Sequence, residues 1–171
     1  MNSVNRRSDI IRLIKTSNKP LKGTELANIY NVTRQIIVKD IALLRAQGYK
    51  IIATPDGYIY GNDANRIKFV IAVNHGEDRL FEELNIVIKY GGIIEDVIVE
   101  HPIYGEIRAM LMIKNLNDLE NFINKYKDKD AKPLSTLTNG IHIHTISSDN
   151  EINMNLIKEE LNKKGFMVKD N

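Results

Sequence analysis

The chain contains no cysteine. Disulfides are therefore excluded, and so is any thiolate metal site; an ion bound here has to take imidazole and carboxylate ligands. No apolar run approaches the roughly 20 residues that a membrane span requires. The charged stretch from Met1 to Arg12 is followed by no apolar core of the kind a secretory signal carries. The expectation is a cytoplasmic protein with no membrane partner. The glycine patterns of a P-loop, a dinucleotide site or a nucleophile elbow are missing as well. What is present is ordinary: 171 residues, 43% hydrophobic and 27% charged, enough for two small domains.

The formal net charge of +2 hides an asymmetry. Residues 1–62 hold ten Lys and Arg against four acids, a balance of +6, and the remainder holds fourteen against eighteen, a balance of −4. A basic segment on a mildly acidic body points to a polyanionic partner for the first part alone.

That first part reads as a winged helix-turn-helix. Ile10, Ile11 and Ile14 form the apolar stripe of a helix over Arg7 to Lys15, ended at Asn18-Lys19-Pro20. Leu26 and Ile29 mark a short helix beginning near Gly23 or Thr24. Asn31-Val32-Thr33 makes a tight turn. Thr33 then caps a third helix running from Arg34 to about Gln47, stopped by Gly48. In that helix Ile37, Ile41 and Leu44 pack inward, leaving Arg34, Gln35, Val38, Lys39 and Arg45 on the outward face. Long polar donors at the start of a helix suit readout of the major groove. Arg34 and Gln35 are placed to reach purine edges, Val38 a thymine methyl, and Lys39 and Arg45 phosphates. Tyr49 to Ile52 and Tyr58 to Tyr60 alternate as strands around Pro55-Asp56-Gly57, a hairpin that forms a wing. Lys50 on it is a candidate backbone contact. With Thr33, these residues make up the expected DNA-binding set. Gly61 to Asn65 is read as a polar linker, so the domains are 1–62 and 66–171.

The second part reads as α+β, in the order β-α-β-β-α-β with one more helix at the end. Strands are expected over Ile67–Val73, Ile93–Val99, Ile103–Ile113 and Gly140–Ile146. Helices are expected over Asp78–Tyr90, Asn117–Tyr126 and Glu151–Lys164, the last capped by Ser148 or Asp149. This is the split βαβ arrangement, a four-stranded sheet with helices on one face. It does not by itself define a function.

All four histidines, His75, His101, His142 and His144, fall in this part. Residues two apart on a strand project to the same side, so His142 and His144 point one way while Ile141 and Ile143 point into the opposite layer. His75 ends the first strand. Glu83 lies two turns into the following helix, between Leu80, Leu84 and Val87 on the inward side, whereas Glu82 sits on the wet side. An inward carboxylate is costly unless it is paired or metal-bound. Three imidazoles and one carboxylate suit a divalent Zn, Ni, Co or Fe ion, not Mg or Ca. The competing arrangement pairs Glu83 with Arg79 and lets the histidines satisfy one another through water. His101 precedes Pro102 in a turn, where it and Tyr104 are candidates for lining an effector pocket.

Taken together, Thr33-Arg34-Gln35, Leu44-Arg45-Ala46-Gln47-Gly48-Tyr49, the run from Glu95 to Gly105, and Pro133-Leu134 through Leu137 to Thr145 resemble the niacin-responsive transcriptional repressors. In that family a biotin-repressor-type helix-turn-helix precedes a 3H domain named for its histidines. The resemblance covers nearly the whole chain. It implies a homodimer that binds double-stranded operator DNA and uses nicotinate, or a related pyridine carboxylate, as co-repressor of niacin uptake or NAD synthesis. It also implies a transition metal on His75, Glu83, His142 and His144. Two alternatives stay open: a metal-dependent hydrolase using Glu100, Glu106 or His101 as base, and a regulator for which the metal itself is the signal.

Overall fold

A computed structural model describes residues 2–61 and 66–169. The expected linker lies outside the described residues except for Gly61. The chain divides into two compact units, Met1–Asp63 and Ala64–Asn171.

In the first unit, helices α1 (Ser3–Thr16), α2 (Gly23–Tyr30) and α3 (Arg34–Ala46) precede the hairpin of β1 (Ile51–Thr54) and β2 (Gly57–Tyr60). Local chemistry sets the ends. The Asn2 side chain caps α1 by accepting from the Asn5 N–H, and Thr33 caps α3 by accepting from Ile36. Asn31 leaves α2 in the left-handed region at φ 51°, which asparagine tolerates better than most residues. The core is aliphatic: Ile10, Ile11, Ile14, Leu26, Ile37, Ile41, Leu44 and Ile51. Strand β1 begins two residues later than the alternation suggests. A contact that local patterning does not reveal also braces the wing, since Leu21 and Tyr58 exchange backbone hydrogen bonds of 3.0 and 2.9 Å. Gly57 makes this possible; a Cβ there would lie 2.6 Å from the Leu21 carbonyl.

In the second unit the sheet runs β3 (Ile67–Asn74), β6 (Ile141–Ser148), β4 (Ile93–His101), β5 (Gly105–Ile113), antiparallel throughout. β3 and β4, joined through α4 (Leu80–Lys89), have β6 between them. β5 and β6, joined through α5 (Leu116–Asp128), have β4 between them. Both βαβ units are therefore split. α6 (Glu151–Lys163) follows β6, and its cap is Asn150, not Ser148 or Asp149. Leu84 of α4, Leu119 of α5 and Ile157 and Leu161 of α6 share one buried cluster with Phe69, Ile71, Val73, Ile94 and Ile146 of the strands. The helices thus cover a single face. On the other face Val70 is 64% and Ile141 50% exposed, so Ile141 enters no opposite layer, whereas Ile143 is partly buried beside Ile98. Ile103 belongs to the β4–β5 turn rather than to a strand, and is 79% exposed.

Two irregularities position the site. The register of β4 shifts beside Asp96 against both neighbouring strands, a bulge of the kind that re-aims polar groups. Beyond α6 the chain returns to the free edge of β3, where Asn74 N–H donates to the Phe166 carbonyl at 2.9 Å and Val168 N–H to Ala72 at 3.0 Å. This covers an edge that would otherwise be open to pairing.

Candidate metal centre and DNA-binding face

On α3 the buried stripe is Ile37, Asp40, Ile41 and Leu44. Thr33, Arg34, Gln35, Val38, Lys39, Arg45 and Lys50 are all exposed. At 100° per residue, Gln35, Lys39, Ala42 and Ala46 lie directly opposite the stripe, with Arg34, Val38 and Arg45 along one flank. Two small alanines between polar side chains leave room for close approach. Sequence reasoning missed Asp40. Buried to 2% exposure, it accepts from Arg6 Nε at 2.6 Å and Arg7 Nη1 at 3.4 Å. Two of the ten basic side chains are therefore committed inside the unit, while Arg34, Lys39 and Arg45 stay exposed on α3.

In the second unit Val73 pairs with His142 and Ile71 with His144 across β3 and β6. This register turns both imidazoles toward α4. Glu83 is fully buried, and Glu82 beside it is half-exposed. Arg79 pairs with Glu82 at 3.0 Å, so the Arg79–Glu83 alternative is set aside. Instead Glu83 Oε2 lies 2.6 Å from His75 Nε2 and 3.5 Å from His142 Nε2, and Oε1 lies 3.2 Å from His144 Nε2. His75, Glu83 and His142 each offer an atom within 4.8 Å of the others', and His144 faces the second carboxylate oxygen.

The other ring nitrogens decide what this cluster can hold. Nδ1 of His75 meets the Gly76 carbonyl at 2.8 Å, Nδ1 of His142 the Gly140 carbonyl at 2.8 Å, and Nδ1 of His144 the Asp96 carbonyl at 2.5 Å. A carbonyl only accepts, so each Nδ1 carries a proton and each neutral ring presents its Nε2 lone pair to Glu83. A lone pair facing a carboxylate is repulsive unless a positive centre lies between them, either a proton or a metal ion. Backbone carbonyls that fix the tautomer in this way are the usual support of imidazole ligands. The bulge supplies one of them, the Asp96 carbonyl, while the Asp96 carboxylate accepts from Thr145 N–H at 2.8 Å.

Protonation is the metal-free answer. For Glu83, burial pushes the carboxyl up, but His144 and contacts from His142 and His75 overcome this and hold it well below the usual range. Burial likewise opposes charge on His75 and His144, and Glu83 outweighs it, raising both. That answer is incomplete. Glu83 Oε1 and His144 Nε2 are both buried without a hydrogen bond despite their 3.2 Å separation. Two buried polar atoms left without a hydrogen bond at this separation fit a coordinated ion. The donor set fits Zn, Ni, Co or Fe.

Phe166 completes the wall, a residue no local pattern marked. It is fully buried, edge-on to His75 with centroids 5.3 Å apart, and Arg79 stacks on it at 4.0 Å. His101 and Tyr104 stand elsewhere. His101 ends β4, and its Nδ1 accepts from the Ile103 and Tyr104 N–H groups at 3.2 and 3.4 Å. Its tautomer is thus opposite to that of the other three. Tyr104 is 74% exposed. Neither is among the partners of Glu83.

No helix among the described residues is long and apolar enough to cross a membrane. A 3H-domain profile matches residues 68–170 and a helix-turn-helix profile residues 6–59. The probable transcription repressor NiaR of Thermotoga maritima is 41% identical over 165 residues, covering 96% of this chain and 94% of the relative. The transcription repressor NadR of Bacillus subtilis is 38% identical over 170 residues, covering 97% and 94%. With both profiles in order and two full-length relatives of one kind, the chain belongs to the 3H-domain family of helix-turn-helix transcription repressors.

Proposed function

We propose that the chain is a homodimeric repressor of niacin uptake or NAD synthesis genes, working in the cytoplasm, that binds operator DNA through residues 1–62. Residues 66–171 sense nicotinate or a related pyridine carboxylate with the help of a divalent transition metal. The observation that carries this reading is the convergence of three tautomer-fixed imidazoles on buried Glu83, in a chain whose other unit exposes a basic recognition helix.

His75, His142 and His144 would hold the ion through Nε2, and Glu83 through its carboxylate. When bound, the ion neutralises Glu83 and offers its remaining coordination positions to the nitrogen or carboxylate of an effector. The protein side chains do the rest. Carbonyls of Gly76, Gly140 and Asp96 keep the rings oriented, and Phe166 packs edge-on against His75. At the other end Gln35 and Arg34 reach base edges, Val38 a thymine methyl, and Lys39, Arg45, Lys50 and Thr33 the backbone. Two recognition helices must match half-sites about 34–36 Å apart, so an effector that shifts their spacing shifts affinity.

The family relatives are named as repressors, which disfavours the hydrolase. Among the groups considered as a base, the Glu106 carboxylate pairs with Arg108 at 3.3 Å. The test is a gel-shift titration on a palindromic operator, with and without nicotinate, using nickel-loaded and chelated protein. A large affinity change on adding nicotinate to loaded protein is expected. Identical affinities in all four conditions refute the sensing role.

A further inference from the structure

The two edges of the four-stranded sheet differ. The chain around Phe166 and Val168 covers the β3 edge, whereas β5 has β4 as its one sheet neighbour. Among the described residues no backbone hydrogen bond joins the outer side of β5 to another segment. An open edge is a template for a further strand, and proteins that avoid pairing shorten it, bulge it, or place lysine or proline along it. β5 is nine residues long and contains neither lysine nor proline. Its distortion lies toward the far end, where Met112 takes φ 53° beside the register shift against β4. Glu106 to Met110 pair with β4 in unbroken register.

This stretch carries its own charge complement. Glu106 and Arg108 are two apart and share a face. It is the face away from the helices, because Arg108 stands opposite Ile98 and Ile98 opposite Ile143. Arg108 is held in place: Nη1 lies 3.3 Å from the buried Asp96 carboxylate and Nη2 3.3 Å from Glu106 Oε1. Even so, the Arg108 side chain is 49% and that of Glu106 62% exposed.

A second copy laid antiparallel along this edge is related by a two-fold axis normal to the sheet. Residues directly opposite then share a face, so the axis falls on a residue and not between two. Centred on Glu106, it sets that carboxylate against itself; centred on Arg108, it sets two guanidinium groups together. Centred on Ala109, it sets Arg108 against Met110. Centred on Ile107, it sets Glu106 against Arg108 of the second copy, and by symmetry does so twice. The same register brings Tyr104, largely exposed in the turn before β5, level with Met110 of the second copy.

Resting on the homodimer reading above, we propose that β5 is the dimerisation edge. Two copies pair β5 to β5, antiparallel about Ile107, and form one eight-stranded sheet. Backbone hydrogen bonds supply the attachment, as in other strand additions, and the paired charges choose the partner and the register. The resulting two-fold axis has the symmetry of a palindromic operator.

Sedimentation equilibrium of the full-length, nickel-loaded protein tests this. Glu106→Arg and Arg108→Glu each place like charges in both cross-strand pairs, and each alone should weaken the dimer roughly tenfold. Mixed in equal amounts, the two variants oppose unlike charges again, and should form a heterodimer within about threefold of the wild-type affinity. Nickel content and unfolding temperature of Glu106→Arg should match wild type. The chain has no cysteine, so Ile107→Cys introduces a lone thiol that should cross-link to its own counterpart on mild oxidation. Ala109→Cys should not, because its counterpart would lie beyond the ~7 Å that a disulfide spans. Cross-linking through Ala109→Cys and not Ile107→Cys would overturn the register. A wild-type dimer that neither charge variant weakens overturns the edge assignment and leaves the homodimer reading standing. A wild type that stays monomeric at every concentration removes both.

Discussion

Asp40 in the first unit and Glu83 in the second are both carboxylates removed from water, at 2% and 0% exposure. Their compensation differs in kind. Asp40 faces Arg6 and Arg7, guanidinium groups that stay charged at any pH a protein survives. Glu83 faces three imidazoles that are charged only when protonated and that become metal ligands when they are not. The first arrangement is a fixed tie between α1 and α3. The second has two ways of being satisfied, and so can respond to its surroundings. A buried acid is thus no marker of function by itself; the identity of its partners decides.

The comparison is sharpened most by metal. Nickel or zinc added to chelated protein should stabilise the second unit by about 4 kcal/mol at a free concentration 1,000 times Kd. It should leave the first unit unchanged, and magnesium should do nothing. Thermal unfolding resolved by unit measures this. Equal stabilisation of a His142→Ala, His144→Ala double variant would place the ion elsewhere.

Next in size is the fixed pair. Asp40→Ala leaves two largely buried arginines facing each other, and should destabilise the first unit by about 3 kcal/mol, the low end for breaking a buried pair. Denaturant unfolding should give the same loss with and without chelator. A loss below about 1 kcal/mol, the ordinary value for a surface pair, would mean that Asp40 ties nothing.

These two carboxylates also mark how far the sequence could be read. Helical angle alone put Glu83 inside between Leu80, Leu84 and Val87, and period-two alternation put His142 and His144 on one side. The same angular argument applies to Asp40, three residues after Ile37 and four before Leu44, but its partners lie more than thirty residues away on α1. The start of α1 at Ser3, capped by Asn2, also lies four residues before the Arg7 expected from the apolar stripe. The Thr33 cap on Ile36 and the turns of the first unit were legible because their chemistry is local. The Asp96 bulge, the Leu21–Tyr58 pairing and the return of Phe166 to the β3 edge were not. Each depends on which strands become neighbours, and periodicity carries no such information. The one local hint of the bulge was Glu95-Asp96 interrupting an apolar strand.

A smaller effect distinguishes the two kinds of compensation by pH. In metal-free protein His75 and His144 hold protons more tightly than in the unfolded chain. Their stabilisation is complete below about pH 6.5 and is lost as pH rises through their raised native values. Glu83 runs the other way: its contribution is present above about pH 4.3 and is lost as pH falls through its depressed native value. The metal-free cluster therefore stabilises best between those limits and weakens toward alkaline pH. A bound ion competes with the Nε2 protons, so its stabilisation grows over the same range. Unfolding temperatures of loaded and chelated protein should converge in acid and separate by about pH 8. Parallel curves would show that the imidazoles do not exchange protons for metal.

The smallest expected effect, about 1 kcal/mol, tests whether the fixed unit and the responsive unit do separate jobs. Lys39 stands opposite the buried stripe of α3 and is assigned to a phosphate, so Lys39→Ala should weaken operator binding about equally across sequences and lower the salt slope by about one. Gln35→Ala, one turn earlier on the same face, should leave that slope alone and relax the choice of base. Glu83→Gln should change neither quantity, because the contacts with DNA belong to the other unit; it should abolish only the dependence on nicotinate. Gel shifts across a salt series on the operator and on point-altered operators separate the three. A change of salt slope in Glu83→Gln would mean that the second unit itself touches phosphate, and the division between a rigid reader and an adjustable sensor would have to be abandoned.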